Sequence, residues 1–359
     1  MGRKIVISGW YGPGNIGDEA ILQAMIDIFE KEFKECEITV LSFDPGYTKK
    51  TQGVDAVMQY PSGKRRWLKS ILSLDIFATL KAIRECDLFV MGGGGFLSDW
   101  QPNVPKDWLK QFKVAKYFGK ETWLYRIGAG PFLTDAGRET TRYYIDNYVD
   151  RVSVRDRASH DELVKSAGVK KSVEIEIDPV ANICVERYMS GKKSTKSIGI
   201  IYTEYFKNRF FRPEVRDRWE SLFNAYCAQI QAVIEQGFTP RLIFFQKSIE
   251  EELAKKFLDI FGDSVTVEFP GDYKEAISMM ESSRGIISFR LHGNILAYAM
   301  KKPFLPIIYH HKTAGFLEQI GYGNDSLRLE VGDGENWRES EIDIEEWRAK
   351  TVKFIEKIK

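Results

Sequence analysis

Arg290 and His292 are the residues of this 359-residue sequence whose types and spacing most suggest catalysis. They stand in the stretch 288–294, Ser-Phe-Arg-Leu-His-Gly-Asn. Arginine is a permanent cation, and histidine gains or loses a proton near neutral pH. If strand geometry continued through the stretch, both side chains would share one face. The pair would then suit an anionic substrate that needs proton transfer; a hydrogen-bonded core histidine is the plainer alternative for His292.

The surrounding sequence predicts where this pair stands in the fold. The apolar run 285–287 precedes it, and a helical pattern over 295–300 follows it. A strand that ends in a polar, glycine-containing turn before a helix is typical of an α/β sheet. Open α/β sheets bind ligands at the carboxyl ends of their strands. We therefore expect Arg290 and His292 to line a binding site.

Two glycine-rich loops also follow predicted strands. The first, residues 9–19, follows the strand 5–8 and opens a helix, and the second, residues 92–99, follows the strand 88–91. Backbone N–H groups of such loops, together with the helix dipole, face a ligand that is usually anionic. Tight turns and acidic stabilisation of a helix start are the plainer alternatives. The candidate binding residues in these loops are Gly14, Asn15, Gly17, Asp18, Gly93, Gly94 and Gly95.

Three basic residues, Arg126, Arg155 and Lys312, lie at or just beyond the ends of further predicted strands. We predict that Arg126 and Arg155 bind substrate, with a structural ion pair as the alternative for each. The adjacent His310 and His311 could not both point to one site in a strand. Because no carboxylate or cysteine stands at a metal-ligand spacing from them, we expect no metal site.

The order of strand and helix patterns predicts the architecture. Their alternation favours right-handed βαβ crossovers and parallel sheets. The chain is longer than one core comfortably fills, which favours two domains. A short basic stretch, residues 191–196, is the best candidate linker. We predict an α/β protein with domains at 1–190 and 191–359, the second ending in an amphipathic helix.

Composition limits the partners. The chain has 52 basic and 51 acidic residues, so it has no overall field that would favour nucleic acid. The four cysteines are far apart in sequence, which predicts reduced thiols rather than a disulfide framework. The N-terminus lacks the pattern of a secretory signal, and no run approaches the ~20 apolar residues of a membrane span. A cytoplasmic location is therefore expected.

Several separated stretches together resemble the polysaccharide pyruvyl transferase family, in the order expected and across nearly the whole chain. Arg290, Leu291 and His292 match the family's Arg-Leu-His at a strand end, Arg155 matches its Arg-Asp element, and Lys312 matches a basic residue after the following strand. The matching stretches are residues 11–19, 92–95, 128–131, 155–156, 178–179, 288–292 and 312–321.

The resemblance implies a fold similar to B-type glycosyltransferases, with two Rossmann-like lobes whose parallel sheets face a cleft. It also implies phosphoenolpyruvate as donor and a sugar or lipid-linked glycan as acceptor, which leaves as a pyruvate ketal in polysaccharide biosynthesis. The first lobe is then expected on the acceptor side and the second on the donor side. His292 would move protons, while Arg290, Leu291, Lys312 and Arg155 would hold the donor. No metal or redox cofactor is implied.

Two other functions remain open at this point. A nucleotide-sugar glycosyltransferase of the same fold would use Arg290 and Lys312 to bind a diphosphate, and fold alone does not separate the two enzymes. A non-catalytic sugar-binding or partner protein is the third hypothesis, against which the retention of both Arg290 and His292 counts. Association of several copies of this chain into a homo-oligomer is a further hypothesis.

A basic and aromatic segment, residues 64–72, suggests one more partner. Lys64, Arg65, Arg66 and Lys69 adjoin Trp67, a combination that suits peripheral contact with an anionic membrane at its inner face. The alternative is an ordinary helix over 66–84 that packs on the sheet through its apolar residues.

Overall fold

The computed structural model describes residues 2–99, 103–191, 194–204, 219–309, 311–323, 325–328 and 342–359, without the side chains of His311 and Arg328. Within these ranges the chain forms two sheets. The strands are β1 Arg3–Ser8, β2 Cys36–Ser42, β3 Asp55–Met58, β4 Leu88–Gly92, β5 Glu121–Ile127, β6 Arg151–Val154, β7 Val173–Ile175, β8 Ser197–Ile201, β9 Thr239–Ile243, β10 Thr266–Glu268, β11 Gly285–Ser288, β12 Phe304–Ile308 and β13 Leu327–Arg328.

Helices connect almost every pair of successive strands. They are α1 Ile16–Glu32, α2 Pro45–Gln52, α3 Gly63–Leu72, α4 Asp75–Glu85, α5 Val104–Tyr117, α6 Asp135–Tyr148, α7 Arg157–Asp161, α8 Trp219–Glu235, α9 Lys247–Phe261, α10 Tyr273–Glu281, α11 Leu291–Ala299, α12 His311–Gln319 and α13 Ile344–Ile358. A π-helical turn, Glu162–Ser166, continues α7, and short 3₁₀ turns lie at Pro179–Asn182, Val185–Arg187 and Gly262–Ser264. Among the described helices, none is both long and apolar enough to cross a bilayer.

Every pairing between the described strands is parallel. The first sheet has the order β3-β2-β1-β4-β5-β6-β7 and the second β10-β9-β8-β11-β12-β13. The central strands β4, β8, β11 and β12 are buried along their whole length, as expected when helices cover both faces of a parallel sheet. Strand order reverses between β1 and β4 and between β8 and β11, which are the two places where such sheets bind ligands.

The chain divides into two compact units, residues 1–183 and 184–359. Each has its own apolar core: the first includes Phe89 and Phe112, and the second includes Phe257 and Trp347. Each unit is a parallel sheet covered by helices, so the prediction of two Rossmann-like lobes is confirmed. The limit between the units precedes the stretch 191–196 that was predicted as linker, of which residues 192–193 lie outside the described residues.

One predicted element was wrong in detail. The helical pattern over 66–84 forms two helices, α3 and α4, rather than one. The chain breaks at Ser73 and Leu74, where Leu74 takes a left-handed conformation with φ 62°. A leucine in that region cannot continue a right-handed helix. The break at Ser73 and Leu74 therefore divides the predicted single helix into the two shorter helices α3 and α4.

Candidate functional site

In the second lobe, the edge between β8 and β11 holds Arg290 and His292. β11 ends at Ser288, and Arg290 is the extended N-cap residue of α11, with φ −80° and ψ 132°. His292 is already the second residue of that helix. The position at the end of a strand was therefore predicted correctly. The argument that the two side chains share one strand face was wrong, because strand geometry stops two residues before Arg290.

Arg290 is held by a buried carboxylate. Its Nε donates to Oε1 of Glu250 at 3.0 Å, its Nη2 also contacts that oxygen, and Nη2 donates to Thr203 Oγ1 at 3.3 Å. The Glu250 side chain is fully buried, whereas that of Arg290 remains 18% exposed. Glu250 Oε2 accepts the N–H of Gln246 at the start of α9, at 2.9 Å. The guanidinium is thus oriented by its partner but still reachable from solvent.

The start of α11 packs tightly against the sheet. A Cβ atom on Gly293 would lie 2.3 Å from Ser288 Oγ and 2.8 Å from Ile201 Cδ1, so only glycine fits there. The buried Asn294 donates its side-chain amide to the carbonyl oxygens of Ser288 and Arg290, at 3.3 and 3.2 Å. These contacts fix the turn that carries Arg290 and His292.

His292 and Leu291 differ in their surroundings. His292 is half-buried, and its Nε2 atom is out of contact with solvent. Leu291 is 8% exposed and belongs to the core of the lobe. A half-buried histidine in the first turn of a helix can transfer a proton to a molecule bound at that turn.

Lys312 lies at the same edge of the second sheet. It is the second residue of α12, which follows β12, and β12 pairs with β11 in parallel. The carboxyl ends of neighbouring parallel strands meet at one edge, so Lys312 and Arg290 both follow strands that end there. The structure thus brings the two cations to one edge of the sheet, as the sequence indicated. His310, two positions before Lys312, lies outside the described residues.

In the first lobe, the two glycine loops meet at the edge between β1 and β4. The Tyr11 hydroxyl donates to the carbonyl oxygen of Gly92. Gly93 has φ 63°, and a Cβ atom there would lie 1.9 Å from Ile21 Cγ2. A Cβ atom on Gly94, which has φ 78°, would lie 3.3 Å from Asp18 Oδ1. Glycine is therefore required at both positions, and the Asp18 carboxylate borders the second loop.

The first loop is stiffened by its own polar groups. Asn15 Oδ1 caps α1 by accepting the N–H of Gly17 at 3.0 Å. Glu19 is fully buried and accepts the N–H of Gly12 at 2.8 Å and the side-chain amide of Gln52 at 3.3 Å. Burial raises the pKa of Glu19, although those hydrogen bonds act to lower it. Gly14 and Gly95 border open space or solvent.

Arg155 is enclosed in the first lobe. Its side chain is 4% exposed, its Nη1 donates to Asp178 Oδ2 at 2.9 Å, and its Nε lies 3.8 Å from Asp156 Oδ2. A Cβ atom on Gly128 would lie 2.9 Å from its Nε, so the backbone covers the guanidinium. This environment is the structural ion pair that the sequence left as an alternative, and its predicted substrate contact remains a prediction.

Arg126 is also paired. Its Nε donates to Glu176 Oε2 at 2.8 Å and its Nη1 to Asn182 Oδ1 at 2.9 Å. The residue has φ 48° and sits where the register between β5 and β6 shifts. Its backbone N–H donates to Ser153 Oγ at 3.0 Å. The strained backbone marks Arg126 as unusual, but the described contacts are all within its own lobe.

Sequence reasoning did not pair Arg155 with Asp178 or Arg290 with Glu250, although residues 178–179 are among the stretches that resemble the family. Glu250 stands beside Glu251 and Glu252 in a run of three, and only burial distinguishes it. Asp178 gave a weak signal through the adjacent Pro179, a pair typical of a helix start. Thr203, which contacts Arg290, lies two residues after the end of β8 and was not predicted.

Metal and thiol chemistry have few candidates among the described residues. No group of three or more His, Cys, Asp or Glu side chains in that part of the chain is arranged to hold a metal ion. All four cysteines are free. Burial raises the pKa of Cys86 and of Cys227 to about 11, so these two thiols stay protonated and weakly nucleophilic at neutral pH.

Comparison with protein families gives one match. The family described as "Polysaccharide pyruvyl transferase" matches residues 15–311. This range contains Arg290, His292, the second glycine loop and residues 15–19 of the first. No curated protein matches the chain.

Solved structures share the fold at low identity. The UDP-GlcNAc 2-epimerase of Methanocaldococcus jannaschii is similar with a TM-score of 0.57 and 12% identity, over 100% of this chain and 92% of its own. That of Neisseria meningitidis is similar with a TM-score of 0.57 and 12% identity, over 99% of this chain and 92% of its own. At such identity the likeness shows the two-lobed fold alone.

Proposed function

The chain belongs to the polysaccharide pyruvyl transferase family, and from this premise we propose that it transfers a pyruvyl group from phosphoenolpyruvate to a sugar or polysaccharide precursor. The product is a pyruvate ketal. The observation that carries the proposal is the position of Arg290, an oriented and partly exposed guanidinium at the first turn of α11.

That position suits the donor. The first N–H groups of a helix have no partners within it, and the dipole favours negative charge there. Phosphoenolpyruvate carries a phosphate and a carboxylate, and a guanidinium binds either group in a two-pronged manner. Lys312 adds a second cation at the same edge of the sheet. We assign donor binding to Arg290, Lys312 and the N-terminus of α11.

His292 supplies the proton transfer. In the first step, protonated His292 gives its proton to the methylene carbon of phosphoenolpyruvate. That carbon becomes a methyl group, and the neighbouring carbon, which bears the phosphate, becomes electrophilic. A sugar hydroxyl adds to that carbon and loses its proton to the neutral His292. Phosphate then leaves with the C–O bond electrons, and a second hydroxyl of the same sugar closes the ketal, its proton passing to phosphate. One diol and one donor thus give one ketal and one inorganic phosphate.

The first lobe offers groups that fit a sugar. Asp18 lies beside Gly94 at the edge between β1 and β4, and carboxylate oxygens accept hydrogen bonds from hydroxyl groups. Both glycine loops bring backbone close to this edge. We assign the acceptor to these loops. Two hydroxyls must be held near one carbon, so the acceptor positioning contributes strongly to the rate.

The test is to incubate the protein with phosphoenolpyruvate and a panel of nitrophenyl and lipid-linked sugars. We expect release of phosphate and a product whose mass gain equals pyruvic acid minus one water. His292→Ala should lower turnover roughly 10²- to 10⁴-fold, the usual contribution of general acid–base catalysis. Tyr298→Phe is the matched control, since Tyr298 lies exposed on the same helix. A His292→Ala variant with the wild-type rate would remove His292 from the mechanism.

A nucleotide-sugar enzyme is the second candidate. The structurally similar protein of Neisseria meningitidis is bound to UDP-GlcNAc, and its shared fold favours including nucleotide sugars in the same panel. Product from UDP-GlcNAc in the absence of phosphoenolpyruvate would replace the pyruvyl proposal with this one.

A further inference from the structure

Exposed apolar side chains are concentrated on α3 and α4 of the first lobe. Among the described residues, fourteen large apolar side chains are exposed, and five of them fall within residues 68–77. We call these five the α3–α4 surface. They are Leu68, Ile71, Leu72, Leu74 and Phe77, exposed by 61, 48, 75, 64 and 62%. Exposed apolar side chains that cluster in this way mark an interaction site more often than singly scattered ones do.

The direction of α3 explains the exposure. Trp67 and Ser70 are half-buried, and the other residues of Gly63–Leu72 are exposed. The Trp67 ring packs edge-on against Tyr60 with ring centroids 5.4 Å apart. Leu68 and Leu72 stand four positions apart on a face that points away from this contact. The helix therefore rests on the lobe along one narrow side and presents leucines outward.

Basic residues frame these leucines. Lys64 lies four positions before Leu68, on the same face, and Arg65 and Lys69 form the adjacent row. No acidic residue occurs between positions 59 and 74. An apolar face bordered by Lys and Arg is the pattern of a helix that lies in the headgroup region of a bilayer.

The helix α4 extends the same surface. Ile76, Thr79 and Ile83 are its buried residues, whereas Leu74 and Phe77 point outward. Lys81, four positions after Phe77, is exposed beside them. Leu74 holds its left-handed conformation, with φ 62°, while remaining exposed. Burial in the core therefore does not account for a leucine at that strained position.

We propose that the α3–α4 surface docks the protein on an anionic lipid bilayer. Its apolar side chains would enter the headgroup boundary, and Lys64, Arg65, Lys69 and Lys81 would face the lipid phosphates. A second copy of the chain fits less well, because a two-fold contact through this surface would bring two basic borders together. Docking on lipid removes that repulsion and neutralises the basic side chains.

Docking would place the first-lobe loops near the bilayer. The guanidinium carbon of Arg66 lies 5.5 Å from the centroid of the Phe43 ring. The centroid of the Phe43 ring lies 4.8 Å from that of Trp10 and 6.4 Å from that of Trp108. The Phe96 ring, which lies within the second glycine loop, packs on Trp108 with the ring centroids 4.2 Å apart. This aromatic row links the α3–α4 surface to the loops assigned to the acceptor. An acceptor carried on lipid would suit this arrangement. The lipid-carried acceptor rests on the proposed function, whereas the docking itself does not.

Co-sedimentation of the full-length protein with vesicles tests the proposal. We expect binding to phosphatidylglycerol–phosphatidylcholine vesicles at low salt and little binding to phosphatidylcholine alone, because the attraction is partly electrostatic. Leu68→Ser with Leu72→Ser should weaken binding by about 10-fold or more, as should Lys64→Glu with Arg65→Glu and Lys69→Glu. Leu133→Ser with Leu258→Ser is the matched control, since both leucines are exposed elsewhere, by 60 and 42%.

Three outcomes would overturn the proposal. They are the absence of binding to anionic vesicles at low salt, an equal loss in the Leu133 and Leu258 control, and a dimer in lipid-free solution that Leu68→Ser with Leu72→Ser dissociates. The last outcome would identify the surface as an interface between copies. Phosphate release with a water-soluble sugar acceptor, measured in parallel, separates loss of docking from failure of the transfer reaction.

Discussion

Arg155 in the first lobe and Arg290 in the second are held by carboxylates in the same way, but their side chains differ in exposure to solvent. Each guanidinium is bound by a carboxylate that also caps a helix or turn. Asp178 uses Oδ1 to accept the N–H of Val180 and Oδ2 to hold Arg155. Glu250 uses Oε2 to accept the N–H of Gln246 and Oε1 to hold Arg290.

The two arginines differ in burial and in place. Arg155 is 4% exposed, lies between two carboxylates and is covered by Gly128. Arg290 is 18% exposed, has one carboxylate partner among the described residues and lies where strand order reverses between β8 and β11. Removing one partner of an enclosed pair destabilises the lobe, whereas a partly exposed cation at a switch point can exchange its partner for a ligand. Two arginines at strand ends are therefore expected to have different roles, a structural one for Arg155 and a ligand-binding one for Arg290.

The largest change in stability is expected from Arg155→Met. It would leave Asp156 and Asp178 buried without their cation, which lowers the free energy of unfolding by about 3–5 kcal/mol. Urea denaturation followed by tryptophan fluorescence measures it. Arg157→Met is the control, because Arg157 is exposed two residues away, and it should change the value by about 0.5 kcal/mol or less. A stable Arg155→Met protein with a raised KM for phosphoenolpyruvate would instead support its predicted substrate contact.

Arg290→Lys should act on catalysis rather than on folding. The ammonium still faces Glu250, but it lacks the fork that binds a phosphate or carboxylate through two N–H groups. We expect kcat/KM for phosphoenolpyruvate to fall about 10- to 100-fold, the value of one hydrogen bond to a charged group. Arg284→Lys, at the opposite end of β11, should leave kcat/KM unchanged. Equal losses in the two variants would contradict the assignment of Arg290.

Glu250→Gln should have a smaller effect, which acts on the KM for phosphoenolpyruvate. The amide oxygen can still accept from Arg290, but the negative charge that repels an anionic donor is gone. We expect the KM for phosphoenolpyruvate to fall roughly fivefold, equivalent to about 1 kcal/mol. Asp178→Asn, the equivalent change beside Arg155, should lower stability and leave the KM unaffected. Titration calorimetry with phosphoenolpyruvate checks the binding difference directly, and weaker donor binding by Glu250→Gln would count against competition for Arg290.

The smallest effect is expected from Arg126→Met. Its pair with Glu176 is partly exposed, with side-chain exposures of 13 and 27%, and such pairs contribute about 1 kcal/mol or less. The change also leaves the left-handed backbone at φ 48° as strained as before. Thermal denaturation measures the shift. A tenfold change in the KM for the acceptor, with stability intact, would show that Arg126 binds substrate.

Much of the fold follows from local sequence. Short apolar runs such as 88–91 and 285–287 became fully buried strands, and their alternation with helices predicted parallel sheets. The helices α2, α5 and α6 were not predicted. In α2 the buried residues Thr48, Thr51 and Gln52 are all polar, whereas α5 buries Trp108, Leu109 and Phe112 at a helical spacing that the sequence does display. Hydrophobic periodicity is weak when the buried side chains are themselves polar.

The sequence by itself determined the fold class and the placing of Arg290, His292, Lys312 and the glycine loops at strand ends, because strand, turn and helix patterns are local. Tertiary structure decided which cation is enclosed. Asp178 lies 23 residues from Arg155 and Glu250 lies 40 residues from Arg290, and no local pattern pairs residues at such separations. It also decided that Leu68 and Leu72 face outward. Burial depends on which elements pack together, and that packing is a property of the whole lobe rather than of any one segment.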